Sequence, residues 1–246
     1  MRLNSQCTAP LAVIALACTF AIAPAAQAQI AGFHPSFYGS GEWDTKESQF
    51  YLLGIYAGQS KLGWSPYLNV NAYRLSYEVN DTQNDLSAFA PTVGLAHAAR
   101  RGGYSVGAGY TWTDSEDAGA PGAEGGGKSG VHAAVGAYRN GRGDRPLRTQ
   151  FLSSYNHGSR YVWTRLRSSI PMGSRTRVGA ELVGQGGGKD GSYSNEFKLG
   201  PTLEYQWSAN VRSGAVVGYK TMGGTRLPDG RESAPYFKLE FSFSPF

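Results

Sequence analysis

Cysteine is confined to two positions of this 246-residue chain, Cys7 and Cys18. Both fall within Met1 to Ala28, which reads as a secretory signal. Arg2 supplies the positive start, Leu11 to Ala17 the apolar core, and Ala26-Gln27-Ala28 the small-x-small cleavage site. A mature chain of 29–246 then has no disulfide framework and no thiol chemistry. A competing lipoprotein reading, with Leu16-Ala17-Cys18 leading to an acylated Cys18, is opposed by Ala15 and by the apolar run that continues past the cysteine. Beyond the signal there is no run of eighteen apolar residues, so no spanning helix is predicted. Charge is sparse at 17%. Loss of Arg2 takes the net charge from +5 to +4, spread along the chain. No Lys/Arg-rich block marks a nucleic-acid surface.

Glycine, at 34 residues, and aromatics, at 13%, are by contrast plentiful. Together with a mean hydropathy of −0.35, this suits a chain that alternates lipid-facing with lumen-facing residues. The alternation is visible. Tyr104, Val106, Ala108, Tyr110 and Trp112 alternate with Ser105, Gly107, Gly109 and Thr111. Phe197, Leu199, Pro201, Leu203, Tyr205 and Trp207 alternate with Lys198, Gly200, Thr202, Glu204 and Gln206. The segments at 131–137 and 177–182 repeat the pattern. Successive strand side chains point to opposite faces, whereas a helix would scatter Lys198 and Glu204 and be weakened by the glycines.

Read this way, the mature chain is one domain of twelve strands, with ten as the smaller alternative. They fall near 36–43, 48–57, 64–78, 87–98, 103–113, 129–139, 147–156, 160–170, 176–185, 194–207, 211–220 and 234–245. The expected fold is an all-β, antiparallel, up-and-down transmembrane β-barrel. An apolar set that changes parity near Ala72 suggests a bulge, and Trp163 shares a face with Arg165 and Arg167. The connections Asn80 to Leu86, Ser115 to Lys128, Gly186 to Ser192 and Met222 to Ser233 are long or Gly-rich. Several of those between them are short, the asymmetry of outer loops and periplasmic turns. Asp44 to Glu47 and Asn156 to Arg160 are short for outer loops. A soluble β-sandwich would alternate too, but its inner face favours Val, Ile and Leu. Here Tyr104, Trp112, Tyr205, Trp207 and Tyr219 fall near strand ends, as in interfacial girdles. Phe237, Leu239, Phe241 and Phe243 share a face before the terminal Phe246. These features place the chain in the outer membrane of a Gram-negative bacterium, with lipid and lipopolysaccharide around it and the barrel assembly machinery as the partner that inserts it.

Several stretches carry a family likeness: Tyr51 to Gly58, Arg101 to Tyr110, Tyr161 to Arg167 leading into Val178-Gly179-Ala180-Glu181, and Phe197 to Pro201. Their order resembles the cellulose-biosynthesis outer-membrane protein family BcsS, over most of the mature chain. The resemblance implies a barrel accessory to cellulose secretion, acting with cellulose-secretion components. It offers no catalytic residues.

Other constellations point to weaker chemistry. Ser153 to Ser159 with His157 suggests the nucleophile and base of a lipid A-modifying barrel enzyme, but no acidic partner lies nearby and a polar loop turning at Gly158 fits better. His132 and Glu181 both face the polar side of their strands. Gly122 to Ser129 has the spacing of a phosphate-binding loop without its strand–helix context. Asp114, Glu116 and Asp117 lack a full calcium-ligand pattern. The reading is non-enzymatic, with no cofactor and no metal. What remains is a polar lumen face with Arg148, Arg177, Glu181, Lys198, Glu204, Arg212 and Lys220, either locked as ion pairs or lining a narrow aqueous path for a passive pore. Twelve strands lie between filled and open barrels.

Overall fold

The computed structural model describes residues 33–46, 48–59, 61–79, 82–115, 129–142, 145–188, 194–224 and 231–245. The signal segment with Cys18, residues 122–128 of the Gly-Lys-Ser run, Glu116, Asp117 and Phe246 lie outside the described residues. Twelve strands follow in chain order: β1 (Phe33–Asp44), β2 (Gln49–Gln59), β3 (Gly63–Val79), β4 (Thr82–Ala99), β5 (Gly102–Ser115), β6 (Gly130–Arg142), β7 (Arg145–Asn156), β8 (Tyr161–Pro171), β9 (Thr176–Gly187), β10 (Ser194–Gln206), β11 (Val211–Gly224) and β12 (Arg231–Phe243). Each pairs antiparallel with its neighbour, and β1 pairs with β12, so the sheet closes and has no free edge. The fold is the all-β up-and-down barrel expected from the alternation.

The registers set the shape. A walk perpendicular to the strands from Pro35 on β1 passes Ala57, Ala133 and Asn195 and reaches Arg231 on β12. Asp44 on β1 pairs with Tyr236, so Arg231, five residues earlier on an antiparallel strand, lies level with position 49. That is fourteen residues beyond the starting Pro35. With a 3.3 Å rise and 4.8 Å strand spacing, a stagger of this size over twelve strands tilts them by roughly 40°. Twelve tilted residues then rise about 30 Å, the thickness of a hydrocarbon core.

The barrel is inside-out relative to a soluble protein. Val93 (64% exposed), Val217 (59%) and Leu199 (53%) stand on the outer surface, while Glu181 is 1% exposed. An apolar belt of this kind needs lipid, not water, around it. Aromatic side chains gather at both strand ends. Trp43 with Tyr51 and Phe237, and Phe89 with Trp112, sit at one end; Trp64 with Tyr104, and Tyr205 with Trp207, sit at the other. These are the two interfacial girdles. β1 begins and β12 ends at the Trp64 end, and the described turn residues 61–62, 100–101, 172–175 and 207–210 lie there. β5 ends and β6 begins at the opposite end, and fourteen residues of sequence separate Ser115 from Gly130. The Trp64 end is therefore the periplasmic one.

Two expectations are corrected. No bulge occurs near Ala72: β3 pairs without a register shift to β2 and β4. The parity change arises because Tyr73 and Leu75 stay on the interior face and fill space there, while Arg74 faces out and pairs with Asp85. The one register shift is between Asn140 and Arg142. Nor are residues 82–86 part of a loop, since β4 pairs with β3 from Thr82 onward, opposite Val79.

Glycines on the interior face make room for rings. A Cβ on Gly107 would lie 2.2 Å from Tyr67 Oη, and one on Gly54 would lie 2.1 Å from the Tyr38 ring. The Tyr67 ring in turn stacks on Tyr56 at 5.4 Å. Gly-for-ring exchange of this sort packs the lumen without raising the strand count.

Candidate functional site: a charged lumen wall and a periplasmic vestibule

Because inward positions alternate with outward ones, each strand contributes a column of side chains to the lumen. The columns fall into two walls. Among the described residues, the interior positions of β2 to β6 carry no Asp, Glu, Lys or Arg. They present instead Tyr56, Tyr67, Asn69, Asn71, Tyr73, Thr92, Thr111 and His132. Tyr38 donates to Asn69 Oδ1 at 2.8 Å and also to Asn71.

The charges stand on β7 to β12 and β1, and they pair both between adjacent strands, as Arg167 does with its register partner Glu181, and between strands that are not neighbours. Lys238 on β12 reaches Glu181 on β9. Arg167 on β8 donates from Nε to Glu181 Oε2 at 2.9 Å, and its Nη1 lies 2.5 Å from Glu240 on β12. Arg167 also lies 3.6 Å from Glu204 on β10, and Arg165 lies 3.3 Å from Glu240. Nearer the outer end, Lys198 on β10 pairs with Glu42 on β1, and with Glu196 at 2.7 Å. Lys220 pairs with Asp44. At the outer mouth, outside the strands, Lys46 pairs with Glu232 at 2.6 Å, and that carboxylate raises the ammonium's pKa.

These pairs tie the charged strands together at mid-height. Arg167, Lys198, Lys220 and Lys238 are all buried along with Glu181 and Glu42. Buried charge is tolerated only when matched, because an unmatched ion loses its hydration without compensation. Here every buried cation faces at least one carboxylate.

All seven charged residues singled out in the sequence stand on interior faces, but not in one place. Glu181, Lys198 and Lys220 belong to these ion pairs. Arg148, Arg177, Glu204 and Arg212 sit lower, around a periplasmic vestibule of about 500 Å³ that also has Tyr138, Gln150 and Arg175 on its wall. Arg148 lies 3.4 Å from Glu204. Arg177 donates to Ser169 Oγ and to the Ser169 and Pro146 carbonyls. Sequence reasoning missed Glu42, Asp44, Arg165, Arg167, Glu196, Lys238 and Glu240 as lumen charges, although Lys238 and Glu240 alternate cleanly with Phe237, Leu239 and Phe241.

The constellations suggestive of catalysis are not assembled. His132 sits between the Thr92 and Thr111 hydroxyls at 2.7 and 3.0 Å, on β6, three strands from β9, which carries Glu181. Near His157 the Asn156 side chain accepts from the Gly158 and Ser159 amides, an Asx turn. No group of three or more potential metal ligands occurs among the described residues.

No family model matches the chain, and no curated protein matches it. Solved structures do. The β domain of the Bordetella autotransporter BrkA is 13% identical, covers 87% of this chain and 99% of its own, and superposes with a TM-score of 0.52. The KdgM porin (10% identity, 86% and 99% coverage) gives 0.47. The translocator domain of autotransporter NalP from Neisseria meningitidis (12%, 97% and 97%) gives 0.46. The BrkA likeness is one of fold. Closed sheet, apolar belt and girdles make this chain an outer-membrane β-barrel.

Proposed function

We propose that this barrel is a non-enzymatic accessory of exopolysaccharide export, with cellulose the polymer implied by the family resemblance, and that it works at its periplasmic face rather than as a conduit. The observation that carries this reading is the cluster of ion pairs around Glu181, with Arg167 on the adjacent strand and Lys238 three strands away. On this reading they close the barrel at mid-height, above a cavity lined by Tyr138, Gln150 and arginines. A polymer cannot thread a lumen whose ionic groups are already matched and buried without breaking several pairs at once. Rings and amides at the mouth are the groups that hold sugar faces and hydroxyls. Its partners in this reading are outer-membrane lipid and lipopolysaccharide outside, the barrel assembly machinery for insertion, and cellulose-secretion components below.

Deletion of the gene, with staining of secreted glucan, tests the reading. Reduced output restored by the intact gene is expected, and unchanged output overturns it. A second reading, a passive path for small solutes, is favoured by the charged wall itself, which would line a narrow wet route if these pairs open. Planar-bilayer recording separates the two. Steady stepwise conductance of the folded wild-type barrel supports the pore, and silence supports the closed accessory.

A further inference from the structure

The periplasmic vestibule is out of charge balance, unlike the mid-height lumen above it. Its wall carries Arg148, Arg175, Arg177 and Arg212 against one carboxylate, Glu204. That carboxylate is itself divided, with Oε2 toward Arg148 and Oε1 toward Arg167 of the mid-height lattice. Arg177 satisfies Nε and Nη2 on Ser169 and the Pro146 carbonyl, so its plane is fixed while its charge stays unmatched. Arg212, at the start of β11, is exposed. Around this mouth, Lys61, Arg100 and Arg101 project from the periplasmic turns. Among the described residues those turns contain no carboxylate.

Like charges gathered in a concave, partly desolvated cavity repel one another, and the cost is relieved by an anion placed among them. Guanidinium is the group suited to this, because its planar fork holds carboxylate or phosphate oxygens in pairs. The geometry points to a binding site in the vestibule for an oxyanion carried on a ligand that enters from the periplasm. Arg148 and Arg212 grip the oxyanion, Arg177 is the pre-set third donor, and the exposed Tyr138 ring lies against the ligand's body. The basic turns draw the ligand in. The shared chemistry is a carboxylate or a phosphate, and its sources are an acidic sugar or a phosphoryl group. This site shares its vestibule with the export reading but not its ligand, since cellulose is uncharged, and it stands whether or not glucan output depends on the gene.

Isothermal titration of the full folded barrel in an uncharged polyoxyethylene detergent tests it, with trigalacturonate, inorganic phosphate and cellotriose as probes. Trigalacturonate or phosphate is expected to bind, more weakly as salt is raised, and cellotriose to bind far more weakly than trigalacturonate and without salt dependence. If only trigalacturonate binds, the carboxylated sugar is the source; if only phosphate binds, the phosphoryl group is. Loss of one charge-assisted contact corresponds to roughly tenfold or more in affinity. Arg212→Gln should therefore weaken binding by about that factor, and Arg148→Gln with Arg212→Gln by more. Arg74→Gln, at the far end of the barrel, should change nothing. Heat-dependent gel migration confirms that each variant is folded. Arg212 has no ion pair among the described residues, so its substitution leaves the barrel intact. Three results overturn the proposal: neither oxyanion binding the wild type at millimolar concentration, cellotriose binding equally well, or affinity unchanged in the double variant.

Discussion

Replacing Glu181 by alanine removes the carboxylate on which the mid-height ion pairs converge. Glu181 is 1% exposed, accepts from Arg167 at 2.9 Å and pairs with Lys238, with Arg165 at 4.0 Å. Without it, Arg165, Arg167 and Lys238 share Glu240 and the half-engaged Glu204. Removing one partner of a buried ionic pair costs about 3–5 kcal/mol, because the other charge is left uncompensated. The lumen can admit water to the freed cations, so the low end, about 3 kcal/mol, is the figure to test. That is roughly a hundredfold in the folding equilibrium. Urea unfolding of the barrel in vesicles, followed by tryptophan fluorescence, measures it. The paired replacement Glu181→Gln with Lys238→Met removes both charges at similar volume and should recover most of the loss. The same single variant should conduct where the wild type is silent, with anions preferred over cations, since three cations then line the constriction. An unchanged urea midpoint together with an unchanged current trace would refute the claim that these pairs close the lumen.

Other outcomes follow from the same structure. Gly107→Ala should destabilise by about 1–3 kcal/mol, since the new Cβ meets Tyr67 Oη at 2.2 Å; Tyr67→Phe in the same chain should restore part of it, read by the unfolding midpoint. Val217→Arg, in the middle of the lipid-facing belt and 59% exposed, should cost about 2–4 kcal/mol, while Leu62→Arg in a periplasmic turn should cost about 0–1 kcal/mol. Equal costs at the two positions would remove the bilayer from the argument. Arg74→Ala breaks an exposed pair with Asp85 at 3.0 Å and should shift stability by less than about 1 kcal/mol.

The fold was largely legible because a strand's side-chain period is two and the barrel needs one face for lipid. That requirement writes itself into β5 and β10 as rings alternating with glycine, threonine or charge. It fails where both faces are apolar or both polar. In β3 the lumen itself needs Tyr73 and Leu75 as filler, so the pattern mimicked a bulge. In β8 Trp163 belongs to the interior face with Arg165 and Arg167, its ring 5.9 Å from the Arg165 guanidinium, and it hid that column of charge. Alternation states which face a residue occupies but not what stands opposite it across the lumen. The partner of Lys238 is three strands away, on β9, and no spacing in one segment encodes that distance.

The division of the lumen bears on what the barrel can do. Were charge spread evenly round the interior, like charges would face each other across the axis and water would have to screen them. Concentrating it on β7 to β12 and β1 lets carboxylates and cations meet by short chords, while Tyr38, Tyr56 and Tyr67 fill the other side against glycine. Closure then depends on matching, and matching runs out at the level of Arg148, Arg177 and Arg212, where Glu204 alone opposes them. The periplasmic mouth therefore keeps both open volume and unspent charge, which the mid-height lattice lacks. The proposed oxyanion site lies at that level, where a ligand entering from the periplasm meets the unmatched guanidinium groups before it reaches the paired charges around Glu181.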